Sequence, residues 1–364
     1  MPAPRSNPDL TGHETAEREL RQLFGSGRMP HALLLSGPRG IGKATLAFRL
    51  ARHVLANPGA DTGGMLFGGD TQAAGEGLAI APESGVFRRV ASGGHADLLT
   101  VERAYDSRRR RLRTEIVVDD SREIATFLRL TPAEGGWRVV VIDGADAMNR
   151  SAANAVLKIL EEPPRQALLL LVAHSPGRLL PTIRSRCRRF PLAPLSALTV
   201  RELLGRYRPD LAATEAGAVV ALADGSIGRA LELAATGGVD LYRAALALLS
   251  RQQGLDIAAL HAFADRLIRP DAEGAYRAVE ELLAQFLARL AIASARGGFA
   301  ADAAMPSDLA AGEAAAMRRL GMHAARWAVL HDEIGDGFAR ADGLNLDRKQ
   351  AILGAFFAIE RAAG

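Results

Sequence analysis

An α/β domain in the first 195 residues, followed by a wholly helical remainder, is the fold class this sequence predicts. Three observations carry that expectation. A glycine-rich loop, Gly37-Pro38-Arg39-Gly40-Ile41-Gly42-Lys43-Ala44, follows the apolar run Ala32-Leu33-Leu34-Leu35 and leads into a helical pattern. A second apolar run of β-branched residues, Val139-Val140-Val141-Ile142, ends in Asp143-Gly144. Beyond Pro194 the strand-like stretches cease, and an Ala/Leu-rich composition that favours helix takes over.

The first strand covers 32–36, and the loop after it is a phosphate-binding loop. Its glycines let backbone N–H groups crowd round a polyphosphate at a helix N-terminus, and Lys43 adds a point charge. Gly37, Gly40, Gly42, Lys43, Ala44 and Thr45 are therefore the candidate nucleotide-binding residues. A helix over 45–57 follows, with Ala47, Leu50, Ala51, Val54 and Leu55 on one face. The position after the lysine usually supplies a hydroxyl to Mg²⁺, and here it is Ala44. Thr45 has a hydroxyl, but one helical residue later points about 100° away.

Residues 57–95 hold ten of the 37 glycines without a clear period, which reads as an inserted loop. A strand over 97–102 comes next, then the basic run Arg108-Arg109-Arg110-Arg111 with Arg113, read as a solvated loop or as a contact for DNA phosphate or an acidic partner. A helix is predicted over 120–130 and a strand over 138–142. Asp143 then sits at the carboxyl edge of the sheet, where ligands gather in open α/β folds. Its expected role is to hold Mg²⁺ through water; capping the following turn is the plainer one. A hydrolysing site would place a carboxylate general base next, worth on the order of 10²–10⁴ in rate. Gly144 stands there instead, and Asp146 is further along with a short side chain. A helix over 151–162 puts Ala152, Ala155, Val156, Ile159 and Leu160 on one face and is stopped by Pro163-Pro164. The last strand runs over 168–173.

The helical remainder divides into a three-helix unit over 196–240 and a helical domain over 241–364. Thr199-Val200-Arg201-Glu202 reads as a capping box opening the first helix. Two more helices follow over 212–223 and 227–234, with Gly225 and Gly228 at the turn. The terminal domain is interrupted by a soft Gly/Ala/Pro stretch at 297–312.

Composition bounds these readings. With 364 residues, 48% hydrophobic and 24% charged, the chain has an ordinary soluble balance and room for two or three domains. A formal charge of +4 permits a polyanionic partner without demanding one. No run is apolar enough to span a membrane or to serve as a signal peptide, so a cytoplasmic location is expected. Cys187 stands alone, with His174 as its nearest histidine in sequence, which excludes an internal disulfide and a multi-thiolate zinc site. Only Lys43, Lys158 and Lys349 of the 45 basic residues are lysine, so a lysine at the phosphate loop is a pointed choice.

Taken together, Gly37–Thr45, Asp143-Gly144-Ala145-Asp146, Asn154-Ala155-Val156-Leu157-Lys158-Ile159-Leu160-Glu161-Glu162-Pro163-Pro164 and Ser185-Arg186-Cys187 resemble the clamp-loader AAA+ proteins of bacterial DNA polymerase III. Gly12-His13 and Met29-Pro30-His31-Ala32 fit the same family, as does Gly225-Ser226-Ile227-Gly228-Arg229-Ala230-Leu231, the lid segment that would carry a sensor-2 arginine at Arg229. The resemblance implies an AAA+ P-loop domain, a three-helix lid and an oligomerising helical collar. It also implies gamma/tau motor subunits and a delta subunit as partners in a hetero-pentamer that acts on primer-template DNA and a sliding clamp. Motor subunits of the family are expected to carry Thr at 44 and Glu at 144. The degenerate site of this chain resembles instead a stator that hydrolyses nothing, holds at most ATP or ADP without turnover, and offers Arg186 in trans to a neighbour's ATP. One departure is the four-cysteine zinc module usual in the family, absent from 57–95. The alternative is an active clamp-loader ATPase in which Thr45 and Asp146 rescue magnesium binding and water activation. A P-loop kinase or small-molecule transferase would explain the glycine loop but not the Ser-Arg-Cys and Leu-Glu-Glu-Pro-Pro pieces.

Overall fold

The computed structural model describes residues 1–57, 77–106, 111–134, 136–269, 271–298 and 305–363. Its contacts divide the chain into two compact units, Met1–Ser196 and Ala197–Gly364.

In the first unit, helix α1 (Glu14–Gly25) precedes strand β1 (Ala32–Ser36) and helix α2 (Lys43–Ala56). Helix α3 (Gly85–Ser92) leads into β2 (Leu98–Val101) and the short antiparallel pair β3 (Tyr105–Asp106) and β4 (Arg111–Leu112). Then come α4 (Val118–Arg129), β5 (Arg138–Asp143), α5 (Arg150–Glu161), β6 (Ala167–Ala173), α6 (Pro181–Arg186) and β7 (Arg188–Pro191). The main sheet is parallel throughout, in the order β2-β5-β6-β1-β7. This is the parallel α/β P-loop fold that the sequence predicts.

Both faces of the sheet are covered, which is why its strands read as unbroken apolar runs rather than alternating ones. Leu33, Leu35, Val139 and Val141 face a core completed by α1, α2 and α3. Their alternates Leu34, Val140 and Ile142 face a second core built with α4, α5 and α6. All seven residues of β6 are buried, as befits the central strand. The register sets Ser36 beside Ala173 and Asp143 beside Val172, so β1, β6 and β5 end level with one another and the loops after them converge.

Two expectations need correction here, and one strand is new. The stretch 57–95 is not loop throughout. Residues 58–76 lie outside the described set, but α3 occupies part of the remainder, with Ser84 as N-cap accepting from Phe87 N at 3.1 Å. Its short apolar face, Phe87 and Val90, lay unseen among glycines. The basic run at 108–113 does not read simply as loop either: Arg111–Leu112 forms β4, while 108–110 lie outside the described residues. Strand β7 was missed because only Phe190 of its four residues is buried, the sign of a short edge strand with no apolar period.

The second unit is helical in all its described elements. Helices α7 (Ala197–Tyr207), α8 (Ala213–Ala223) and α9 (Ile227–Thr236) come first. Helix α7 starts two residues before Thr199, so Thr199-Glu202 is not the capping box at its start. Next are α10 (Gly238–Leu249), α11 (Ile257–Leu267) and α12 (Glu273–Ala295). Helix α10 runs through position 240, and the chain turns just before it at Gly237. The last three helices are α13 (Ser307–Leu320), α14 (Ala324–Leu344) and α15 (Arg348–Ala363). The start of α13 falls within the stretch read as soft, of which 299–304 lie outside the described residues. Among the described residues no helix is long and apolar enough to cross a membrane.

Candidate functional site

The glycine loop joins β1 to α2 with backbone that only glycine accepts readily. Gly37 has φ +145°, and a Cβ built there would stand 2.3 Å from the carbonyl oxygen of Leu192, because the segment after β7 crosses the loop. That crossing is fixed by a 2.7 Å bond from Leu192 N to Ser36 O. Gly40 and Gly42 also have positive φ, and Gly42 serves as N-cap of α2. The loop is held from outside as well. His13 Nε2 donates to the carbonyl of Ile41 at 2.7 Å, an assignment that follows because the carbonyl can only accept.

Lys43 opens α2 with its side chain buried, and its ammonium donates to the Pro38 carbonyl within the same loop. Burial pulls its pKa down from 10.5 to about 8, against the opposing pull of Asp143 and Asp146. Asp143, at the end of β5, is pushed up first by burial and then by Glu102, with Lys43 pulling the other way. A lysine and a carboxylate, each short of charge compensation at the convergent ends of three strands, suit a ligand bearing phosphate and its counter-ion. The residues that would complete a magnesium site fit less well. Ala44 has no hydroxyl, and Thr45 is buried in the first turn of α2.

Asp146 has a different job from the one that an active site would need. One carboxylate oxygen accepts from His174 N at 3.1 Å and the other from Ser175 N at 2.8 Å. It ties the turn after β5 to the chain leaving β6, and both oxygens are engaged in doing so. Gly144, where a general base would stand, has φ +80° with nothing within 4 Å of a built Cβ, so a side chain there meets backbone strain rather than a clash.

His174 is a residue of this site that the sequence reading gave no role. It follows the last residue of β6, and burial, with Lys43 nearby, lowers its pKa from 6.5 to about 4. Its Nδ1 is buried without a hydrogen-bond partner. The available signal was its place directly after an apolar strand neighbouring β1.

Gly37, Gly40, Gly42, Lys43, Ala44, Thr45 and Asp143 therefore gather at one edge of the sheet. Arg186 belongs to another group. It ends α6, where Nη1 donates to Thr182 O at 3.1 Å and Nη2 lies 2.9 Å from Glu161 Oε1 at the end of α5. Cys187 beside it is buried, which pushes its thiol up to about 12. Arg188 pairs with Glu19 at 2.9 Å. Arg229 lies in the second unit on α9, where burial lowers its pKa and Glu281 Oε2 is 3.8 Å away.

Comparison with known proteins identifies the family of the first unit. Residues 12–196 match a family model described as DNA polymerase III, delta subunit. The chain is 38% identical over 205 residues to the DNA polymerase III subunit delta′ of Pseudomonas aeruginosa, covering 56% of each chain. It is 31% identical over 205 residues to a DNA polymerase III subunit gamma/tau of Mycobacterium bovis, covering 56% of this chain and 31% of that one. Thus the matched stretch spans about half, or less, of these curated relatives. A solved gamma subunit-related protein from Thermotoga maritima aligns over 95% of this chain and 99% of that one at 18% identity with a TM-score of 0.41. The matched model takes in just over half of the 364 residues, from the His13 contact with the phosphate loop to the end of the first unit, and the chain belongs to the family described as DNA polymerase III, delta subunit.

Proposed function

We propose that this chain is a delta′-type stator of a bacterial replicative clamp loader, which binds nucleotide without hydrolysing it and offers Arg186 to the ATP of a neighbouring motor subunit. The observation that carries the reading is the contrast between its two motifs. The phosphate loop keeps Lys43 and its glycines but lacks the hydroxyl at Ala44 and the base at Gly144, whereas Ser185-Arg186-Cys187 is complete. Asp146 argues against the active-ATPase alternative, because both its oxygens already accept backbone N–H groups. An arginine beside a neighbour's γ-phosphate stabilises charge that develops in the transition state, worth roughly 10³–10⁵ in GTPases that use one.

On this reading the partners are gamma/tau motor subunits and a delta subunit in a hetero-pentamer, which places a sliding clamp on primer-template DNA. Gly37, Gly40, Gly42 and Lys43 would hold the phosphates of bound ATP or ADP, and Asp143 would face its counter-ion through water; Arg229, on α9 of the second unit, is the candidate sensor-2 arginine by family resemblance. No zinc is part of the design.

The test is ATP turnover by the isolated chain. It should be absent, and Gly144→Glu alone should not create it, because Ala44 remains. Steady hydrolysis that Lys43→Ala abolishes, in a preparation free of other ATPases, would overturn the reading.

A further inference from the structure

Glu161 stands where helix electrostatics disfavours it. It is the last residue of α5, at the negative end of that helix's dipole, where a carboxylate is unfavourable unless a cation meets it. The cation is Arg186, the last residue of α6, and their contact is 2.9 Å. A second point of attachment comes from Thr182 O, which accepts from Arg186 Nη1 at 3.1 Å and from Ser185 Oγ at 3.0 Å. The root of the segment is fixed by Ile183 and Cys187, which are both buried on the α5 side of the sheet. The arginine side chain is 37% exposed and its glutamate 45%, so the guanidinium is held at two points yet open to a partner from outside.

We infer that Glu161 is a positioning residue for Arg186, fixing the plane of the guanidinium through Nη2 while Thr182 O fixes Nη1. The inference rests on the assignment of Arg186 as a trans-acting finger. An arginine side chain left free samples many rotamers, and a pair that restricts them lowers the ordering cost when a phosphate arrives. It also joins two sequence pieces that are far apart in the chain, Leu160-Glu161-Glu162-Pro163-Pro164 and Ser185-Arg186-Cys187, into one device. The pair is exposed, so the effect is modest, about two- to fivefold in rate on the scale of surface ion pairs.

The experiment uses the reconstituted clamp-loader complex with DNA and clamp, reading ATPase rate and assembly for Glu161→Ala, Glu161→Gln, Arg186→Ala and the double variant Glu161→Ala/Arg186→Ala. Alanine is the best helix former and removes an anion from a helix C-terminus, so the fold should not suffer. Glu161→Ala should assemble normally and lose about two- to fivefold in rate. Glu161→Gln, whose amide oxygen still accepts from Nη2, should keep most of it, and Glu161→Ala should change nothing further once Arg186 is alanine. A wild-type or faster rate for Glu161→Ala, or a loss that persists in the Arg186→Ala background, overturns the inference and leaves the finger assignment standing. A wild-type rate for Arg186→Ala itself overturns both.

Discussion

The imidazole of His13 reaches across to Ile41, donating from Nε2 to its carbonyl oxygen at 2.7 Å, so the residue that precedes α1 fixes the middle of the phosphate loop. Both residues are buried. His13→Ala removes the donor and leaves the Ile41 carbonyl without this partner, a loss of about 1–3 kcal/mol. Denaturant unfolding should show a lower midpoint with an unchanged slope. A wild-type midpoint would mean that packing alone holds the loop.

His174 makes stability depend on acid. Burial, with Lys43 adding to it, lowers its pKa from 6.5 to about 4, and His53 is lowered similarly, first by burial and then by Arg21. Between those values the unfolded chain binds the extra proton and the folded chain does not, so stability is full above the unfolded value and falls as pH drops toward about 4. Each imidazole should cost about 2 kcal/mol at pH 5 relative to pH 8. His174→Gln should flatten the dependence in that window, which unfolding at several pH values will measure. Unchanged curvature would show that His174 is not held neutral.

Zinc should be absent from the purified protein. Among the described residues no group of three or more His, Cys, Asp or Glu side chains could hold a metal ion, and Cys187 is buried with its thiol pushed up to about 12. Elemental analysis should find no stoichiometric zinc, and a chelator should leave the unfolding midpoint in place. One tightly held equivalent would contradict this and direct attention to ligands within 57–115.

Much of the first unit was legible because a parallel sheet covered on both faces writes itself as apolar runs. Strands β1, β2, β5 and β6 and helices α2, α4 and α5 fall within two residues of the expected bounds. What escaped notice lacked that signature. Strand β7 buries one residue in four, and α3 hides its short face among glycines. At the site, sequence spacing could name Lys43, Asp143 and the missing groups at 44 and 144. It could not reveal that Asp146 is engaged by His174 N and Ser175 N, nor that Glu161 meets Arg186, since both contacts arise from tertiary packing.

The central claim is that Arg186 acts on a neighbour's nucleotide, and the direct measurement is DNA-stimulated ATPase and clamp loading by the complex reconstituted with Arg186→Ala. Only the motor site facing this subunit would lose its arginine, so total activity should fall partially while assembly is preserved. Arg186→Lys should recover little, because one ammonium cannot reproduce the guanidinium fork. Arg188→Ala and Arg189→Ala, at exposed positions, should behave as wild type. Normal assembly with wild-type loading by Arg186→Ala would contradict the account.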